Sequence, residues 1–247
     1  MKIIIIRHAE PDYEHDSLTE KGFREAKLLS TYLKKHYPEI DHFYVSTLGR
    51  AMMTFKVSTA DNYPDVPTDF CDWLVEFRGT VRRKDKLNSF WGCWDLLPSV
   101  VEEEQILYSS NWREAKLVNE PGATILQEYD KVIKEFDGVL AINGYKRKGF
   151  SYQVSDSNHK VLVFYCHFGV ASVLLSHLMN CSPYCIWQNT VLLPSSVTEF
   201  VTEEREDGIA SFRANKIGSL AHLELGNEEE SFFARFCECY KDETRHN

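Results

Sequence analysis

The chain has 247 residues, 43% of them hydrophobic, which is ample for a buried core and excludes disorder as the default. A formal charge of -9 has the wrong sign for a nucleic-acid-binding domain, so an anionic ligand must be captured by a local positive cluster. The apolar run 3–6 is far shorter than a signal-peptide core of ~7–15 residues or a membrane span. Seven cysteines at scattered spacings suggest no disulfide framework, and the expectation is free thiols in a reducing cytoplasm.

The opening, KIIIIRH, is a continuous β-branched run and predicts a strand buried on both faces. In SLTEKGFREAKLLSTYLKKHYP, Ser17 and Glu20 fit a capping box, with Thr19 as the alternative cap. Phe23, Ala26, Leu29 and Leu33 then share a helical face, and Pro38 closes the helix. HFYVS (42–46) predicts a second strand, and LGRAMMTFKVSTA a helix directly after it. Strand followed by helix, twice over, predicts parallel pairing in an α/β layer architecture. Residues 79–120 have no clean period and read as an insertion over one end of the sheet. In 123–140, Ile125, Tyr129, Val132, Phe136 and Leu140 recur at helical spacing. The polar stretch 143–160 reads as a loop, KVLVFYC (160–166) as another buried strand, and VASVLLSHLM as another helix. SSVTEFVTEE and IASFRANK predict a late hairpin turning at Asp207-Gly208, and a helical tail ends the chain.

Chemistry gathers at the strand ends. Arg7 and His8 follow the first strand, Arg50 lies just past the second, and His167 follows VLVFYC. Ligands of open α/β sheets bind beyond the carboxyl ends of the strands, and parallel pairing would bring these four side chains to one edge. Two arginines and two histidines beside helix starts form an anion site suited to phosphate. Arginine forks neutralise the charge on phosphoryl oxygens, and a neutral histidine can attack phosphorus.

RHAEP, LTEKGFREA, STLGRAMMT, DWLVEFRG, CHFGV and ANKIGSLAHL stand in the order of the histidine phosphatases, the phosphoglycerate-mutase-like superfamily, which the chain resembles from residue 2 to about 225. The resemblance implies a single three-layer α/β/α domain with a mostly parallel central sheet. It implies that His8 is the phosphorylated nucleophile, that Arg7, Arg50 and His167 form the phosphate pocket, and that Glu76 is the proton donor. A leaving alkoxide needs a proton, and a carboxyl among apolar walls or other carboxylates can hold one at neutral pH. Departures from the family pattern are Ala9 for a commoner glycine, Glu14 where many members carry asparagine, and Gly122-Ala123-Thr124 for Gly-Glu-Ser.

The expected activity is hydrolysis of a phosphomonoester through phospho-His8, with no metal or other cofactor, since the arginines supply positive charge. A phosphoglycerate-type mutase and an idle phosphate-binding module are the alternatives. The partner is expected to be a small phosphorylated substrate, with neither nucleic acid nor membrane involved. Cys239 and Arg245 have the Cys-x5-Arg spacing of a different phosphatase chemistry, but no strand or glycines precede them. Cys166 reads as core packing, His222 as structural, and Glu10 as a rival carboxylate or the partner of an arginine. Trp91, Trp94 and Trp112 with Arg82, Arg83, Lys84 and Lys86 suit a substrate-selecting lid formed by 79–120.

Overall fold

A computed structural model describes residues 1–233, 238–239 and 242–245. Strand β1 (Lys2–Arg7) leads into a small hairpin of β2 (Pro11–Asp12) and β3 (Ser17–Leu18). Helix α1 (Glu20–His36) follows, and its cap is Thr19, whose hydroxyl accepts the Gly22 N–H. Then come β4 (His42–Ser46), α2 (Gly49–Thr59) and β5 (Thr68–Cys71), with one 3-10 turn, Asp72–Leu74, after the last. The insertion forms a hairpin of β6 (Thr80–Arg83) and β7 (Ser89–Gly92) and the short helices α3 (Pro98–Glu103) and α4 (Lys116–Asn119). The chain continues through α5 (Ile125–Ile142), β8 (Tyr145–Lys148), β9 (Ser151–Val154), β10 (Val161–Cys166), α6 (Phe168–Met179) and α7 (Pro183–Trp187). It closes with β11 (Val197–Glu206), β12 (Ile209–Ser219) and α8 (Ala221–Gly226), then β13 (Glu238–Cys239) and β14 (Asp242–Arg245).

Eight strands form the central sheet in the order β5-β4-β10-β1-β11-β12-β9-β8. The first four run parallel; the other four continue the sheet antiparallel. The α/β/α expectation holds, with a mixed sheet whose parallel half carries the strand ends of interest.

Two apolar clusters explain the layering. Ile3 and Ile5 join Phe164, Leu162 and Tyr44 against Phe136 and Leu140 of α5 and Val170 and Leu174 of α6. Ile4 and Ile6 join Val163, Tyr165, Phe43 and Val45 against Leu29 and Leu33 of α1. Because alternate side chains of a strand point to opposite faces, four consecutive isoleucines serve both layers. Burying each contributes about 2 kcal/mol, an upper figure because the unfolded chain is partly collapsed.

Three expectations change. The stretch 143–160 is not simply a loop: β8 and β9 extend the sheet by sending Tyr145 and Tyr152 inward against Phe212. The tail expected to be helical holds the antiparallel pair β13–β14 among its described residues; the side chains of Cys239 and Arg245 lie outside what is described. In the insertion, Arg83 is not a rim cation. It is 6% exposed, bound to both carboxylate oxygens of Asp85 at 2.8 and 2.6 Å, and donates to the Trp94 carbonyl at 3.2 Å. No described helix is long and apolar enough to cross a membrane.

Candidate active site

Since β1, β10, β4 and β5 are parallel, the segments that leave their C-terminal ends meet at one edge of the sheet. His8 follows β1, His167 follows β10, the turn into α2 brings Arg50 from β4, and the chain beyond β5 brings Glu76. All five expected residues converge here. The His8 and His167 rings lie 5.0 Å apart at 52°. Arg7 and Arg50 act electrostatically on both histidines, and Arg7 on Glu76.

His8 is 1% exposed, and its Nδ1 lies 2.8 Å from the Ala9 carbonyl. A carbonyl can only accept, so Nδ1 carries the proton and Nε2 keeps a free lone pair. Burial, reinforced by the positive charges of Arg7 and Arg50, holds the His8 pKa well below its ordinary value, and the ring is neutral at pH 7. The backbone around it is pinned: the Ala9 N–H donates to Thr54 Oγ1 at 2.9 Å, and the His8 carbonyl accepts from Ser195 N at 2.9 Å. Ser195, at φ +60°, meets His222 Nε2 at 3.0 Å through its hydroxyl. His222 thus stands two contacts behind His8, and burial pushes its pKa down to about 4.

His167 is fully buried, with Ser46 Oγ 2.8 Å from its Nε2. Ser46 Oγ also accepts the Leu48 N–H at 3.3 Å and can give its own proton to His167 Nε2, the arrangement in which Nδ1 carries the ring proton. Burial first, then His8, Arg50 and Arg7, push the His167 pKa well down. Arg7 donates through Nη1 to the Leu192 carbonyl at 2.5 Å, and Arg50 through Nη1 to Asp16 Oδ1 at 2.6 Å. Arg7 Nε, Arg50 Nε and His167 Nδ1 are buried without a hydrogen-bond partner among the described residues. Unpaired buried donors are expensive, and three in one cluster describe a site completed by an anion with several acceptor oxygens.

Glu76 places Oε1 2.8 Å from both the Phe77 and Gly169 backbone N–H groups. Burial raises its pKa, against the pull of those two N–H bonds and of Arg7 and Arg50. Gly169 is required by contact: an added Cβ would lie 2.6 Å from Glu76 Oε1 and 3.1 Å from both Phe77 Cβ and Trp94 Cζ3. The insertion therefore reaches the site through Trp94, whereas Trp91 is 52% exposed and Trp112 packs against Tyr129 and Tyr184.

Among the described residues Glu10 pairs with no arginine. It accepts from Thr19 Oγ1 at 2.8 Å and Ser231 Oγ at 2.7 Å, while its N–H donates to buried Glu25. Glu14 is exposed. Sequence reasoning passed over Asp16, Ser46, Thr54 and Ser195; only the adjacency of Ser46 to STLGR was a local signal. Among the described residues no group of three or more His, Cys, Asp and Glu could hold a metal ion, and the five described cysteines are free thiols.

A family profile described as the histidine phosphatase superfamily (branch 1) matches residues 3–215. Phosphoserine phosphatase from Entamoeba histolytica, solved with 3-phosphoglyceric acid, superposes with a TM-score of 0.56 at 16% identity, covering 90% of this chain and 98% of that one. The α-ribazole phosphatase from Shigella flexneri gives 0.51 at 17% identity, over 89% and 97%. The mycobacterial glucosyl-3-phosphoglycerate phosphatase gives 0.52 at 14% identity, over 88% and 99%. No curated protein matches the chain. Identities this low speak for the fold alone, but the profile spans most of the sequence and includes His8, Arg50, Glu76 and His167 within its bounds: the chain belongs to the histidine phosphatase superfamily, branch 1.

Proposed function

We propose that this protein hydrolyses small phosphomonoesters through a phosphohistidine at His8. The observation that carries the reading is the His8 tautomer: a neutral ring, its Nδ1–H spent on the Ala9 carbonyl, keeps Nε2 as a nucleophile in a pocket of cationic and N–H donors. Nε2 attacks phosphorus, the bond to the alcohol oxygen breaks, and the departing oxygen takes the Glu76 proton. Arg7, Arg50 and His167 stabilise the charge on the phosphoryl oxygens as it passes between the two. In the second step the Glu76 carboxylate takes a proton from water, whose oxygen attacks phosphorus. The P–N bond returns its electrons to Nε2, and inorganic phosphate leaves. The raised pKa of Glu76 suits this alternation of acid and base.

Substrate selection falls to the insertion, through Trp94 beside Glu76 and Gly169. The acidic net charge favours a small phosphorylated molecule over nucleic acid or a membrane surface. The solved relatives named for phosphoserine, α-ribazole and glucosyl-3-phosphoglycerate are consistent with phosphatase chemistry on this fold.

The test is hydrolysis of p-nitrophenyl phosphate, expected to be vanadate-sensitive and EDTA-resistant, with an acid-labile phosphoenzyme that His8→Ala abolishes. Label trapped on cysteine refutes the nucleophile. EDTA inactivation reversed by a divalent metal refutes the metal-free mechanism. Conversion of 3-phosphoglycerate to 2-phosphoglycerate without phosphate release would replace hydrolysis with mutase transfer.

A further inference from the structure

The β2–β3 hairpin supports itself: Asp12 Oδ1 accepts the N–H groups of Glu14 and His15 at 3.0 and 3.3 Å, and Asp12 Oδ2 meets His15 Nδ1 at 2.8 Å. That turn delivers Asp16 in the left-handed region, at φ +46°, a conformation that aspartate tolerates better than most residues. From there the carboxylate grips two donors at once. Oδ1 takes Arg50 Nη1 at 2.6 Å, and Oδ2 takes the Gly49 N–H at 2.6 Å. The approach is so close that a Cβ on residue 49 would stand 2.0 Å from the Asp16 carbonyl oxygen, so only glycine fits there. Tyr13, from the same hairpin, places its ring 5.4 Å from the Arg50 guanidinium carbon.

Arg50 is thereby held on one edge and one face. Its Nε is buried and, among the described residues, unpartnered, so the fork keeps donors free to act, and both His8 and His167 feel its charge. We infer that Asp16 is a positioning residue for the phosphate pocket. It fixes the Arg50 fork so that the free donors match the equatorial oxygens of the transferring phosphoryl group. The inference rests on the phosphate-pocket reading above and deepens it.

Electrostatics alone would give the opposite sign, which makes the idea testable. Removing a negative charge from beside an anion site should tighten anion binding. Removing a brace should loosen it, and should loosen a trigonal-bipyramidal anion more than a tetrahedral one, because the fork must match planar equatorial geometry.

The experiment is a double-mutant cycle read by calorimetry with vanadate and with inorganic phosphate, using the full chain, Asp16→Ala, Arg50→Ala and the double variant, with turnover followed in parallel. Asp16→Ala should weaken vanadate by roughly 10- to 100-fold in the wild-type background, phosphate less, and both by under about 3-fold once Arg50 is gone. Asp16→Asn, whose amide oxygen can keep one of the two contacts, should recover part of the loss. Gly49→Ala, which evicts the hairpin without touching its charge, should reproduce the loss. Tighter vanadate binding in Asp16→Ala, or equal losses with and without Arg50, overturns the inference. Vanadate binding by wild type without turnover defeats the hydrolase reading and leaves the cycle valid. Binding of neither anion by wild type defeats both.

Discussion

Gly169→Ala is the sharpest probe of Glu76 as the proposed proton donor, because its closest clash falls on one carboxylate oxygen. The new methyl would stand 2.6 Å from Glu76 Oε1, whereas an ordinary carbon–oxygen contact is about 3.3 Å. The carboxylate must retreat by about 0.7 Å, and the N–H bonds from Phe77 and Gly169, both 2.8 Å, stretch beyond useful length. Phe77 and Trp94 close off the other directions at 3.1 Å, so the helix cannot easily yield instead. A misplacement near 1 Å costs on the order of 100-fold, and general acid catalysis contributes roughly 100- to 10,000-fold. The loss should therefore depend on the leaving group. With an alkyl phosphate, whose alkoxide must be protonated as it departs, kcat/KM should fall about 100-fold. With p-nitrophenyl phosphate, whose phenolate leaves unaided, phosphorylation of His8 measured as a burst should fall by less than about 5-fold. Overpacking also costs about 1–3 kcal/mol, so thermal unfolding is followed alongside. Equal losses on both substrates, or no loss on the alkyl phosphate in a folded variant, would refute the assignment of Glu76 as the acid.

Two buried groups should tilt stability with pH in opposite directions. Burial pushes Glu25 up to about 7, aided by Glu10 and Glu228 and opposed by the Glu10 N–H and Lys21. A raised carboxyl gives stability that is whole below pH 4.5 and lost as pH rises through 7, worth about 3 kcal/mol for a shift of about 2.5 units. Glu25→Gln should thus raise the melting temperature at pH 8 and not at pH 5; an equal change at both pH values refutes it. His222, pushed down to about 4, works the other way: its stability is whole above pH 6.5 and lost as pH falls toward 4, again by about 3 kcal/mol. His222→Gln should flatten the acid limb of denaturant-measured stability between pH 6.5 and 4, and an unchanged slope there would place the acid sensitivity elsewhere.

The reach of sequence reasoning followed the range of the forces involved. Ile3 to Ile6 announce a doubly buried strand, and helical periodicity announces α1 and α5, because burial on a face leaves its period in the residues themselves. β8 and β9 leave no such trace: only Tyr145 and Tyr152 point inward, and exposed Lys146 and Lys148 are what an edge strand uses to discourage pairing with another chain. β5 is likewise hidden, with Asp69 and Phe70 exposed at the other edge. At the site, His8, Arg7, Arg50 and His167 stand where strands end, and that rule can be applied to a sequence. Asp16 and Ser195 cannot be found that way. Asp16 meets its partners 33 and 34 residues away and Ser195 meets His222 27 residues away, and only the packed backbone brings them into reach. Arg83 misleads for a local reason: a run of basic residues gives no sign that a turn folds Asp85, two residues on, back onto one of them.

The place of β1 in the sheet bears on how the molecule is made. β1 lies between β10 and β11 in the sheet, so its two pairing partners, residues 161–166 and 197–206, lie far downstream of it in the chain. Until those strands are made, Ile3 to Ile6 form an unpaired, uncharged β-branched segment of the kind that seeds aggregation. Pairings of such long sequence separation close slowly because loop entropy must be met before contacts repay it. A chain truncated before residue 197 should therefore occupy holdase chaperones and lose the arrangement around His8, since β1 then has nothing on one side to hold it in register. The geometry around His8 is therefore completed late, when β11 docks and β1 becomes the middle of the sheet.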